Sequence, residues 1–298
     1  MSLAPELESS AISLTGPVRE ENQDAVRIPD ANHPPEMGQL YGLADGIGGY
    51  AHGALASQLA LDALFETFYT QRAASTKAAL RRGVENANLK VFKTSQQLNA
   101  GRMGTTLTAV HIHQNRLQLA HVGDCRLYLV RNHTAACLTN DHTLVGDLVR
   151  MHVLTPDRVR THFQRSVLTR GVGLTMFITP DVSEVRLQDG DCLVMCSDGV
   201  WSMIEDEEIA RMASEGGSAA SLGQRLVDLT LSRNADDNVS VVAIYVRHLA
   251  SEASAVSENG AFPPERTNLS FVHTLRSFLP NKINSILGRD ENGNHRQP

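Results

Sequence analysis

The sequence predicts an α+β fold in which stacked antiparallel sheets are covered by helices. Short β-type segments crowd together over residues 105–138, helical periodicities lie outside that block, and two further apolar strands come late in the chain. Strands joined by tight turns pair antiparallel, since parallel strands need long crossovers. Segregation of strand runs from helix runs marks the α+β class.

Residues 40–44 are a short apolar run that ends in Asp45-Gly46-Ile47-Gly48-Gly49, a strand entering a glycine-rich turn. Leu55, Leu59, Ala63, Leu64 and Phe68 then recur at helical spacing, so a helix follows the turn. A second helix is expected over 77–97, with Asn and Gln interrupting its apolar stripe. In the β block, Thr106, Thr108, Val110 and Ile112 lie among β-formers and Gln114-Asn115 offers a turn. Short strands continue over 116–122, 125–130 and 134–138. Residues 139–164 are polar and helical in parts, punctuated by Pro156. A fully apolar strand at 192–196 runs into Ser197-Asp198-Gly199; Leu222, Leu226 and Leu229 mark an amphipathic helix, and 239–246 is a last buried strand. Beyond Leu249 the texture changes. Residues 250–265 are rich in Ser, Ala, Glu and Pro and read as a disordered linker. An amphipathic helix is expected over 268–279, either docked on the rest of the chain or meeting a partner or membrane surface beside Arg276, Lys282 and Arg289.

Composition narrows the class. The 298 residues carry 33 acidic and 27 basic side chains, a formal charge of −6, which argues against a nucleic-acid binder with its net basic face. Four scattered cysteines, with no Cys-x-x-Cys pair, indicate a reducing compartment rather than a disulfide framework or zinc site. No apolar run approaches the roughly 20 residues of a membrane span. The first residues lack the basic flank and apolar stretch of a signal peptide. A cytoplasmic protein is the expectation.

Asp45, Asp124, Asp198 and Asp237 each sit where a strand meets a turn, and Asp24 makes a fifth. One Asp-Gly is ordinary turn chemistry. Several carboxylates fixed at strand mouths can instead bring distant parts of the chain to one cation. Carboxylates without imidazole or thiolate partners select hard ions such as Mg²⁺ or Mn²⁺. Two such ions can activate water against a phosphoryl group. An arginine is expected nearby to bind phosphate, and Arg19, five residues before Asp24, can fill that role.

The ordered blocks V-R-E-E-N-Q-D-A, L-A-D-G-I-G-G, G-T-T-L, H-V-G-D-C-R-L-Y, V-L-T-R, C-S-D-G-V-W and D-D-N-V-S resemble the protein phosphatase 2C family of metal-dependent Ser/Thr protein phosphatases, in their compact bacterial form. The resemblance runs from about Ile12 to Val246. It implies a four-layer α-β-β-α sandwich over residues 1–249, with two central antiparallel sheets flanked by helices and a flap at about 141–172. It also implies that a metal-activated water hydrolyses phosphoserine and phosphothreonine. By position, Asp45 matches the carboxylate that bridges two metals, with the Gly46 carbonyl as a further ligand. Asp198 and Asp237 match ligands of the first metal. Asp24 is similar to the acidic residue that acts largely through metal-bound water, and Asp124 to one that shares a third, weaker metal with Asp198. Arg19 matches the phosphate-binding arginine, and Asn238 the residue that orients Asp237. Arg165 and Arg170 in the flap are expected to steer an acidic phosphopeptide. Phosphorylated proteins, a bacterial Ser/Thr kinase or its substrates, are the implied partners of a monomer.

Three positions depart from the family pattern. Gln23 stands where Glu is frequent, and Ile47 where animal members carry a His proposed as general acid. Cys125 replaces a usual Ser and reads as packing. His111 and His113 share a strand face and are expected to face solvent, while Cys192 and Cys196 read as buried thiols and Trp201 as packing behind the site. Two other readings compete: a weakly active or inactive phosphoprotein-binding regulator of the same fold, and a two-metal nuclease or phosphodiesterase. The acidic charge disfavours the second.

Overall fold

Strand alternation lays out the molecule. The computed structural model describes residues 4–29, 37–47, 52–70, 73–99 and 101–249. Among these the chain runs β1 (Glu6–Leu14), β2 (Asp24–Arg27), β3 (Gln39–Asp45), α1 (Gly53–Thr70), α2 (Thr76–Gln97), β4 (Leu107–His113), β5 (Arg116–Val122), β6 (Arg126–Arg131), β7 (Thr134–Cys137), α3 (Leu144–Arg150), β8 (Asp181–Arg186), β9 (Cys192–Cys196), α4 (Asp198–Trp201), α5 (Asp206–Ser214), α6 (Ala219–Ser232) and β10 (Val239–His248). Two five-stranded sheets result, ordered β1-β10-β9-β6-β7 and β2-β3-β4-β5-β8. Every neighbouring pair is antiparallel.

Successive side chains of a strand point to opposite faces, so one buried strand feeds two cores. In β9, Cys192, Val194 and Cys196 pack with Trp201, Leu222 and Leu226 of the helices, while Leu193 and Met195 face the other sheet. In β3, Leu40 and Ala44 meet Leu61 and Leu64 of α1, while Tyr41 and Leu43 enter the space between the sheets. Three apolar layers therefore alternate with two sheets, giving the expected α-β-β-α order. The sequence reading of these strands and of the 77–97 helix holds.

Five elements escaped it: β1, β2, β8, α4 and α5. Edge strand β1 is half-buried on both faces and reads Glu-Leu-Glu-Ser-Ser, with little alternation. Edge strand β8 keeps three of its side chains in solvent. His111 corrects a second expectation. It does not face solvent but is 3% exposed, because β4 is an inner strand covered by α1. Its Nε2 lies 2.9 Å from the Met37 carbonyl, and its ring centroid lies 4.8 Å from that of Phe68. His113, two residues on, is only partly buried. Cys192 and Cys196 are buried free thiols as expected. The 250–265 linker, the 268–279 helix, Gly48 and Gly49 lie outside the described residues.

Two glycines pin the segment before β10. Gly16 has φ +77°, and a Cβ there would stand 2.3 Å from the Asp237 carbonyl oxygen. A Cβ on Gly199 would stand 2.1 Å from the Asn238 carbonyl oxygen, a contact that only backbone movement relieves. Gly199→Ala should therefore destabilise the protein by about 2 kcal/mol, the middle of the overpacking range. Urea unfolding checks this, and an unchanged midpoint would contradict it.

Candidate active site

Antiparallel pairing sets the end of one strand beside the start of the next. Asp24, the first residue of β2, pairs directly with Asp45, the last of β3. In the other sheet β9 ends where β10 begins, Cys196 pairing with Val241, so Asp198 and Asp237 flank the same edge. Asp124 occupies the link between β5 and β6, where the chain passes from one sheet to the other. The register thus gathers five carboxylates at one end of the sandwich. Asp45, Asp124, Asp198 and Asp237 line a cleft of about 630 Å³ together with Arg19 and Gly46. Asp24 lies beneath, buried, and neither of its oxygens makes a hydrogen bond of acceptable geometry.

Crowding and burial push these groups toward their protonated forms. Burial raises Asp24 to about 6, with Asp237 adding to the rise and the Ser240 and Ser197 hydroxyls opposing it. Burial, then Asp237 and Asp24, raise Asp198 to about 7, against an attraction from Arg165. Asp45 is pushed well above the carboxylate range by burial, then by Asp24, Asp198, Asp124 and Asp237. Asp124 is raised by burial and by Asp198. An all-oxygen set of mutually repelling carboxylates, with an orphaned buried pair of oxygens below it, fits a hard divalent cation. Among the described residues, however, no three His, Cys, Asp or Glu side chains already stand close enough to grip an ion. The Arg19 guanidinium meets one of these carboxylates: its Nη2 donates to Asp237 Oδ2 at 2.7 Å.

Backbone contacts fix the cleft floor. Asn238 donates through Nδ2 to the Thr15 and Glu21 carbonyls and accepts from the Gln23 N–H, tying the N-terminal loop to the turn that carries Asp237. Its own N–H donates to Asp237 Oδ1 at 2.9 Å, which orients that carboxylate. Asp45 N–H donates to Thr106 Oγ1, which lies 3.1 Å from the buried Cys125 Sγ. Burial raises the Cys125 thiol, so it packs and does not ionise. Trp201 Nε1 donates to the Asp124 carbonyl at 2.8 Å, and the Arg126 guanidinium covers the indole ring at 3.7 Å. Trp201 thus packs behind Asp124. Gly46 N–H donates to the Gln23 carbonyl, and a Cβ on Gly46 would stand 2.5 Å from the Gly53 carbonyl oxygen. Ile47 points its Cδ1 toward Gly104 and Gly171, an apolar contact that offers no proton. His52 is exposed just before α1.

The two flap arginines part company. Arg165 is near enough to Asp198 to act on it electrostatically, and Ser166 and Leu168 line the cleft. Arg170 does not come to the cleft, contrary to expectation. Its Nη1 donates to Asp181 Oδ1 at 2.8 Å, at the start of an edge strand that no helical or apolar signal announced.

The family model described as Protein phosphatase 2C matches residues 17–146 and 173–258. The chain belongs to the protein phosphatase 2C family. The match leaves out 147–172, most of the expected flap. Protein phosphatase PhpP of Streptococcus pneumoniae is 30% identical over 242 residues, covering 80% of this chain and 97% of PhpP. The crystal structure of Mycobacterium tuberculosis PstP/Ppp, a serine/threonine phosphatase, superposes with TM-score 0.72 at 33% identity, covering 81% of this chain and 99% of that one. A structure of the PstP catalytic domain in complex with two manganese ions gives TM-score 0.69 at 31% identity, covering 80% and 97%.

Sequence reasoning missed the buried imidazoles His121 and His142 behind Asp124, which carry no spacing signal. The raised carboxylates have a measurable consequence. A group whose pKa is raised by folding contributes stability that is intact below the unfolded carboxylate value of about 4 and is lost as pH climbs through the folded values. For Asp24 and Asp198 those values are about 6 and about 7. Metal-free protein should melt at a lower temperature at about pH 8 than at about pH 5, and Mn²⁺ should raise the melting temperature more at the higher pH, because cations take the ionised form. Equal gains at both pH values would contradict this.

Proposed function

We propose that this chain is a metal-dependent protein phosphatase that hydrolyses phosphoserine and phosphothreonine monoesters in proteins. The observation that carries the reading is the gathering of Asp24, Asp45, Asp124, Asp198 and Asp237 at one end of the sandwich beside Arg19. Mn²⁺ or Mg²⁺ is the cofactor that suits these residues. Asp45, Asp198 and Asp237 would hold two ions, with the Gly46 carbonyl as a further donor. Asp24 would act from below, and Asp124 with Asp198 would hold a weaker third. Bound there, the ions supply Lewis-acid activation of water and neutralise phosphoryl charge.

The protein's own part is electrostatic and positional. The Arg19 guanidinium stands at the cleft mouth and would exchange Asp237 for the phosphoryl oxygens, which match its planar fork. Arg165, in the 141–172 flap, is near enough to Asp198 to add positive charge to the site. Asn238 keeps Asp237 aimed while that exchange takes place. The buried, unionised Cys125 supports direct attack by water over a cysteinyl-phosphate intermediate. Ile47 is apolar and offers no proton to the leaving alkoxide. A Ser/Thr kinase or its substrates are the partners we assign, for a cytoplasmic monomer whose catalytic domain spans 1–249; no described helix is long and apolar enough to cross a membrane.

Purified protein with Mn²⁺ should release phosphate from a phosphothreonine peptide. Asp198→Asn should lower that rate at least about a hundredfold, more than the loss of a supporting contact to a metal ligand. Turnover retained in Asp198→Asn would defeat the reading. Arg19→Ala should lower kcat/KM by about 10- to 100-fold, the loss of one charge-assisted phosphate contact.

A further inference from the structure

Directly behind Asp124 lie two wholly buried imidazoles, His121 and His142, with ring centroids 4.9 Å apart. His121 is satisfied within its own layer: Nδ1 meets Thr108 Oγ1 at 2.9 Å and Nε2 meets the Gly123 carbonyl at 3.0 Å. His142 does something different. Its Nδ1 accepts the Gly123 N–H at 3.1 Å, while its backbone N–H donates to the Gly123 carbonyl at 2.7 Å. The residue before Asp124 is thus held from both sides by a single residue. Gly123 is itself fixed, with φ +114° and room for no Cβ against Thr106.

His142 also closes the flap. Its carbonyl accepts the Thr169 N–H at 2.8 Å, and the adjoining Thr143 bridges Leu168, so the outgoing end of the 141–172 segment is tied to the incoming end. Nε2 stands 3.2 Å from Asp181 Oδ2, off the line of a full hydrogen bond, and Asp181 in turn accepts from Arg170. Burial lowers the affinity of the His142 ring for a second proton, outweighing Asp181. A neutral ring that accepts at Nδ1 carries its proton at Nε2, toward Asp181.

We propose that His142 is a positioning residue of the phosphatase reaction, holding the turn that carries Asp124 through its Nδ1 edge while its Nε2 edge faces the Asp181–Arg170 pair beside the flap. This rests on the phosphatase reading. Arg170, the flap arginine that does not reach the cleft, acts here by holding Asp181 against the ring.

Side chains that mimic one edge at a time separate the two links. His142→Asn keeps an acceptor at the Nδ1 position and cannot reach Asp181; His142→Gln keeps a donor at the Nε2 position and loses the acceptor for Gly123. With Mn²⁺ and a phosphothreonine peptide, His142→Gln should lower kcat about tenfold or more, the effect of disturbing a residue that orients a metal ligand. His142→Asn should raise KM several-fold with kcat within about twofold, as loss of uniform substrate binding does. Asp181→Ala, on a half-exposed edge strand, should behave like His142→Asn. Amide exchange at Gly123, followed by NMR, should quicken in His142→Gln and stay slow in His142→Asn. A merely structural histidine would lower kcat equally in both variants at unchanged KM, in step with the folded fraction, and that result would overturn the proposal. So would unaltered Gly123 exchange in both. Absence of peptide hydrolysis by the unmodified protein would instead defeat the phosphatase reading, while the exchange pattern would still decide the clamp.

Discussion

Repulsion among buried carboxylates governs this molecule. Two sheets deliver Asp24, Asp45, Asp124, Asp198 and Asp237 to one edge, where burial and mutual charge raise Asp24, Asp45, Asp124 and Asp198. Such an arrangement opposes folding unless protons or cations neutralise it. The fold tolerates it because the carboxylates sit where strands end, held by backbone already committed to the ladders. Arg19 relieves part of the charge by pairing with Asp237, and that pair is exposed enough to be exchanged.

The rest of the site serves to hold that edge. Asn238 joins the N-terminal loop to the start of β10, Trp201 holds the Asp124 carbonyl, and Thr106 holds the Asp45 N–H. Beneath the flap, Arg126 is stacked on Trp201 and makes two hydrogen bonds to Asp141, at 3.0 and 2.7 Å. A buried pair of this kind is weak evidence for stability but strongly fixes geometry. The flap therefore has a rigid base on the same turn that carries Asp124, even though the family model passes over most of its length.

How much of this the sequence disclosed depends on the kind of signal. The inner strands β3, β9 and β10 were legible because their central residues, 40–44, 192–196 and 239–246, are buried and apolar or small. The site aspartates were legible because strand-end carboxylates beside glycine recur in ordered blocks. Edge strands β1 and β8 were not, because half their length is polar and their pairing comes from a distant partner. His111 was misread for the same reason: its neighbours in sequence say nothing of α1 lying over it. Arg170 was assigned to substrate from its place in the flap, but an Asp eleven residues on, in a strand without apolar pattern, captures it.

The most direct test of the cation-gathering edge is anomalous diffraction from crystals grown with Mn²⁺. The account predicts manganese peaks inside the cleft between Asp45, Asp198 and Asp237, with Arg19 released from Asp237. Crystals that show no manganese there, with the Arg19–Asp237 pair intact at saturating Mn²⁺, would contradict it.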